Sequence, residues 1–207
     1  MRTAGEEHAR WTAEWATHAR DACWGCPGMT WEEGIERDLA QIVPHLRFLP
    51  GGSGLDLGCG PGRLTLPIAA AWPDVTVIGV DIAETVIDAA TAVAPANATF
   101  LIGDGRTIPL PDETVDAAWS MLLFQHLEAD AVRGYLSEVA RVLRLGGMFR
   151  FQWCTGSTNS PYAHDYLWED LTPWCNEVGL YRISPVEHDP DWPTWRWVTV
   201  EQKRPRG

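Results

Sequence analysis

Three carboxylates and one glycine-rich turn are the residues of this chain whose spacing suits a binding site. LDLGCGPGR, residues 55 to 63, sets Gly58, Gly60 and Gly62 at every second position, behind an apolar run that carries Asp56. Such turns hold nucleotides because a missing Cβ lets the ligand approach the backbone. The dinucleotide fingerprint is G-x-G-x-x-G, with a pyrophosphate on the following helix N-terminus. Here the third glycine comes one place early, position 63 is arginine, and Asp56 precedes the first glycine by two residues. A carboxylate there repels a pyrophosphate and suits a cationic group.

Two more acids follow in order. VIGVDIAE puts Asp81 at the end of the next apolar strand, 19 residues past Gly62. A carboxylate at that place can accept hydrogen bonds from both hydroxyls of a ribose. The plain alternative is an N-cap for the helix that follows, and the two roles are compatible. FLIGDGRTIPL then supplies Asp104, where the backbone around Gly105 and Arg106 could read an adenine edge. A turn-forming Asp-Gly is the alternative there.

These residues need a scaffold, and the hydrophobic pattern describes one. A helix is expected over about 31 to 46, with Ile35, Leu39, Ile42, Val43 and Leu46 in helical register. PGGSG then breaks the chain. Beyond it, strands at 54–57, 76–80, 98–102 and 115–120 alternate with helices ending near Trp72, over 84–94 and over about 129 to 144. Gly146 and Gly147 are expected to stop that last helix, and MFRFQW to form a further strand. One helix, about 166–178, and two strands, near 180–186 and 194–202, complete the chain. Alternation of this kind predicts an α/β, doubly wound, mainly parallel sheet. The last two strands have no helix between them and are expected to pair antiparallel as a hairpin at the sheet edge. Ligands of such sheets sit at the carboxyl ends of the strands, where the Gly-rich turn lies.

Composition narrows the partners. The 207 residues suit one domain, with 1–48 as a short helical N-terminal cover and 49–207 as the core. There are 28 acidic and 16 basic residues, a net charge of −12, which disfavours nucleic-acid binding. No apolar run is long enough for a membrane span, and the first residues, MRTAGEEHARW, do not read as a signal peptide. A cytoplasmic address and no membrane association are expected. The five cysteines are scattered except for Cys23 and Cys26, which read as two reduced thiols, with a zinc or redox pair as the alternatives. No metal is expected. Twelve tryptophans are present, and Trp11, Trp15, Trp24 and Trp31 precede the Gly-rich unit, where they suit either packing or stacking on a flat substrate.

LDLGCGPGR, VIGVDIAE, LIGDGRTIPLPDETVDAAWSMLLFQHL and LSEVARVLRLGGMFRFQW together resemble the motifs of class I S-adenosylmethionine-dependent methyltransferases, over about residues 50 to 155. The resemblance implies a seven-stranded Rossmann-like sheet with an antiparallel last strand, and S-adenosylmethionine as cofactor. It implies that Gly58, Gly60 and Gly62 meet the methionine part, Asp81 the ribose and Asp104 the adenine. Asp56, Cys59, Arg63, Ile82, Gly105, Met121 and Gln125 complete the expected cofactor contacts. SMLLFQHLE, 120 to 128, falls where the family places its acceptor. It lacks the Asn/Asp-Pro-Pro-aromatic pattern of enzymes that methylate base amino groups, and no Pro-Cys nucleophile is present. A small-molecule acceptor with an oxygen or nitrogen atom is therefore expected.

His126 is the first choice for a general base, because its pKa suits proton transfer near neutrality; a capping role is the alternative. Gln125 could also orient the acceptor. Trp11, Trp15, Trp31 and Tyr162 are the candidate substrate contacts. Two competing readings are a nicotinamide-dependent oxidoreductase and a methyltransferase fold that binds without turnover.

Overall fold

The computed structural model describes residues 29–156 and 163–203. Trp11, Trp15, Trp24, Cys23, Cys26 and Tyr162 lie outside the described residues.

Helix α1 (Trp31–Ile42) starts at a reciprocal cap: Glu33 N–H donates to Thr30 Oγ1 at 3.2 Å, and Thr30 N–H donates to Glu33 Oε2 at 2.8 Å. It ends before Pro44, and Val43–His45 tightens into a 3-10 turn rather than carrying the α-helix to residue 46. The chain then alternates through β1 (Ser53–Leu57), α2 (Thr65–Ala71), β2 (Thr76–Asp81), α3 (Glu84–Thr91), β3 (Ala98–Ile102) and β4 (Val115–Ser120). A 3-10 turn at Phe124–His126 leads into α4 (Ala129–Val142) and β5 (Leu143–Cys154). The remaining elements are α5 (Trp168–Glu177), β6 (Leu180–Arg182), β7 (Glu187–His188) and β8 (Trp195–Gln202).

The sheet order is β3-β2-β1-β4-β5-β8-β6, with β1 to β5 parallel and β8 antiparallel to both of its neighbours. Seven strands lie along this path, as expected, and an eighth of two residues, β7, pairs with β8 beside it. The final antiparallel pair forms at the sheet edge as expected: β8 pairs with β5 on one side and with β6, the outermost strand, on the other. Four consecutive residues of β8, Trp197 to Val200, are buried, so both faces of this strand are covered. One expectation needs correction: the glycines at 146 and 147 do not end a helix. The helix ends at Val142, and both glycines lie inside β5, where its pairing with β4 shifts register. A Cβ on Gly147 would stand 2.8 Å from the Arg144 carbonyl oxygen and 3.0 Å from that of Asp116.

Each face of the sheet carries its own core. Leu55, Leu57, Ile78 and Val80 pack with Val132, Leu136 and Val139 of α4 and with Leu171 of α5. Val77, Ala117 and Trp119 pack with Ile42 of α1, Ile68 of α2 and Ile87 of α3. Trp119, Trp153 and Trp197 are fully buried, so at least these tryptophans are core. This two-sided cover leaves the carboxyl ends of β1, β2 and β4 as the place where turns, not helices, meet. Among the described residues no helix is long and apolar enough to cross a membrane.

Candidate functional site

The Gly-rich turn hangs from the end of β2: Gly58 and Cys59 N–H both donate to the Val80 carbonyl, at 2.8 and 3.1 Å. Gly58, Gly60 and Gly62 have φ of +78°, +52° and +83°, a left-handed backbone that strains any residue with a Cβ. Space is also short. A Cβ on Gly58 would stand 3.2 Å from Leu123, and one on Gly62 3.0 Å from Leu66 and Phe100. Alternating glycines therefore reflect backbone geometry in this structure.

Asp81 joins this turn directly. Its Oδ2 accepts the Gly60 N–H at 2.9 Å and its Oδ1 the Ala83 N–H at 3.0 Å. The second bond closes a local turn two residues on and does not cap α3, whose N-cap is Ala83. Burial raises the Asp81 pKa, against the pull of these backbone donors. Ile82 follows it, half-buried.

Asp56 lies beneath the turn rather than in an open cleft. It is 2% exposed, and Thr65 of α2 donates its hydroxyl to Oδ2 at 2.7 Å. Burial pushes its pKa up to about 7, with the Thr65 bond opposing and the charge of Asp81 adding. Cys59 is buried as well, its sulfur under the sheet where a Cβ on Gly79 would meet it at 2.8 Å. Its thiol pKa is raised by burial, then by Asp56 and Asp81. Its part in the turn is therefore carried by backbone. Arg63 turns its guanidinium towards α1, donating to the Gly34 carbonyl at 3.1 Å and to Asp38, over the ring of Trp31.

Asp104 is exposed and folded onto its own turn. Oδ1 accepts the N–H groups of Arg106 at 2.8 Å and Thr107 at 2.6 Å, and Oδ2 accepts the Thr107 hydroxyl at 2.8 Å. The Thr107 N–H, first among these donors, holds its pKa below the usual carboxylate range. Gly105, with φ +79°, makes the bend. The Asp-Gly turn is thus present, and Asp104 stays at the end of β3 with its carboxylate outward.

The end of β4 completes the cluster. Ser120 donates to the Leu57 carbonyl at 2.8 Å, joining the ends of β4 and β1. Leu122 has φ +58°, a strained value for a leucine, and its N–H donates to Gln152 Oε1 at 3.4 Å. Met121 is buried beside it. Gln125 is 2% exposed, and among the described residues neither its side-chain oxygen nor its nitrogen has a hydrogen-bond partner. A buried carboxamide left so costs about 1–3 kcal/mol per group. His126 ends the same 3-10 turn, half-buried. The buried Tyr135 of α4 packs in the core with Val132, Leu136 and Val139, and its pKa is raised by burial and then by the charges of Asp104 and Asp81.

A cavity of about 740 Å³ separates the first turn of α1 from the Gly-rich turn, lined by Trp31, Ile35, Pro61, Gly62, Arg63 and Leu66 among others. Asp81, Asp104, Gln125 and His126 do not line it. Among the described residues no group of three or more His, Cys, Asp or Glu side chains is set to hold a metal ion.

Residues 55–147 match a family model described as a methyltransferase domain. This match and the relatives below support a class I S-adenosylmethionine-dependent methyltransferase family for that segment. The chain is similar to the demethylmenaquinone methyltransferase of Symbiobacterium thermophilum, 36% identical over 118 residues that cover 53% of this chain and 45% of the relative. The chain spans about half the length of the curated relatives it matches. Its fold is that of the magnesium protoporphyrin IX methyltransferase of Synechocystis solved with bound S-adenosylhomocysteine (TM-score 0.74, 15% identity, 97% of this chain and 99% of that one). It is equally that of a [4+2]-cyclase, SpnF (TM-score 0.74, 15% identity, 100% and 98% covered). The methyltransferase fold thus also carries another named activity.

Proposed function

We propose that this methyltransferase domain binds S-adenosylmethionine at the ends of β1, β2 and β4 and transfers its methyl group to an oxygen or nitrogen atom of a small molecule. One observation carries the reading: the Asp81 carboxylate is held at the end of β2 by the N–H of Gly60, inside a turn whose three glycines all have positive φ. The residues present fit the cofactor. Bare backbone at Gly58, Gly60 and Gly62 admits the methionine part, and Asp81 retains lone pairs for ribose hydroxyls. Asp104 stands at the next strand end for the adenine, and Gln125 offers a buried donor and acceptor that lack partners among the described residues. When bound, the cofactor supplies an electrophilic methyl on a sulfonium. The acidic surroundings favour that cation, and the strained Leu122 backbone with Met121 shapes the space beside it. His126 would take the acceptor's proton. The net charge of −12 supports a small, non-nucleic-acid acceptor. The [4+2]-cyclase of the same fold keeps open a second reading, binding without methyl transfer.

The test is thermal shift with S-adenosylhomocysteine and NAD, followed by transfer of labelled methyl from S-adenosylmethionine to small hydroxyl and amine acceptors. Stabilisation by S-adenosylhomocysteine alone is expected, and Asp81→Ala should lose about 1.5–3 kcal/mol of affinity per ribose bond. Stabilisation by NAD alone, or unchanged affinity in Asp81→Ala, would overturn the assignment. Tight binding with no transfer to any acceptor would favour the second reading.

A further inference from the structure

The described residues hold a buried ionic chain that the cofactor reading does not use. Arg37 of α1 donates to Asp38 Oδ1 at 3.0 Å, to Asp189 Oδ1 at 2.6 Å and to Asp191 Oδ2 at 2.6 Å. Asp38 takes Arg63, the residue after the last glycine of the turn, on its other oxygen. Asp189 uses its second oxygen for the Trp197 indole N–H at 2.9 Å and for Gln152 Nε2 at 3.2 Å. The Oε1 of the same Gln152 accepts the N–H of the strained Leu122. The side chains of Asp38 and Asp189 are wholly buried, and those of Arg37 and Arg63 are 10% exposed. An unbroken series of polar contacts therefore runs from the Gly-rich turn, through α1 and the β7–β8 connection, to the end of β4.

Burying charges in this way is a poor route to stability, since apolar residues of similar volume often serve as well or better. What the arrangement does supply is geometry. Arg37 and Asp38 are neighbours on one helix, and between them they grip both sides of the cluster. Leu122 would relax from its left-handed backbone more easily without the Gln152 contact.

We propose that Asp38 and Asp189 are positioning residues that dock α1 against the Gly-rich turn and against the Leu122 backbone together, so that seating the cofactor and tightening α1 are one coupled step. This rests on the cofactor reading above. The partner of the coupling is S-adenosylhomocysteine or S-adenosylmethionine, because these touch the turn that Arg63 terminates.

Hydrogen exchange resolved by segment, with and without S-adenosylhomocysteine, tests it on the full chain. In the wild-type protein the ligand should slow exchange over residues 58–63, and by about ten-fold over α1 as well, within the usual range of coupling between sites. Asp38→Asn keeps the shape and removes the charge. It should retain slowing at 58–63 while the effect on α1 falls below about two-fold. A purely structural role would speed α1 exchange equally with and without ligand and leave the ratio unchanged; that result overturns the proposal. So does an α1 indifferent to ligand in the wild type, which needs no variant to fold. Arg37→Gln breaks the chain at its centre and should repeat the Asp38→Asn result. Absence of slowing at 58–63 in the wild type would overturn the cofactor reading itself, and this coupling with it.

Discussion

Replacing Asp56 by asparagine should change how stability depends on pH, with a sign and size that follow from its burial. In the fold this carboxyl keeps its proton up to about pH 7, against an unperturbed value of 3.8. Between those values the unfolded chain has released a proton that the native state retains, so stability falls as pH rises. The loss begins near pH 4 and is complete above about pH 7. At about 1.4 kcal/mol per unit, the full penalty is about 4 kcal/mol, of which about 2–3 kcal/mol develops between pH 5 and pH 8. Asp56→Asn has no such proton to lose and keeps an oxygen for the Thr65 hydroxyl. For a chain of this size a kilocalorie corresponds to roughly 2–4 °C, so the melting temperature of the variant should gain about 5–10 °C on wild type from pH 5 to pH 8. Other groups titrate alike in both proteins and largely cancel in the difference. Thermal unfolding at half-unit steps of pH measures it. A difference that stays constant across this window, or that shrinks as pH rises, would refute the buried, protonated Asp56.

Two further substitutions separate backbone from chemistry at the site. Gly58→Ala should cost about 1–2 kcal/mol through its left-handed backbone, and should weaken S-adenosylhomocysteine binding measured by calorimetry; an unchanged affinity would remove the turn from the binding surface. His126→Ala should lower methyl turnover while leaving S-adenosylhomocysteine affinity within about two-fold, and full activity would reduce His126 to packing.

Much of the fold was legible because the strands are short apolar runs bounded by glycine, proline and acids. β3 and β4 begin and end where the pattern places them, at 98–102 and 115–120. The errors fell where local pattern and tertiary packing diverge. Gly146 and Gly147 look like a helix stop, yet they serve a shift in strand register that only the facing Asp116 backbone demands. The edge hairpin was legible, but that β8 rather than β6 is the strand paired with β5 is decided by tertiary packing. At the site, Asp81 reads correctly as a strand-end acid near the turn. Its bond to Gly60, 21 positions away, is made by the sheet. Asp38 and Asp189 carry no motif. They gain their surroundings only when distant segments meet.

By itself the sequence determined the order of strands and helices, the glycine spacing that needs left-handed backbone, and the acids at three successive strand ends. These are local properties, set by residue type and by short-range sterics. Tertiary structure alone decided which way the side chains face. It put Asp56 and the Cys59 thiol beneath the turn, turned Arg63 onto α1, and left the Gln125 carboxamide buried without a partner among the described residues. Burial sets whether a carboxyl is charged and whether an amide needs a ligand, and burial is a property of the assembled fold.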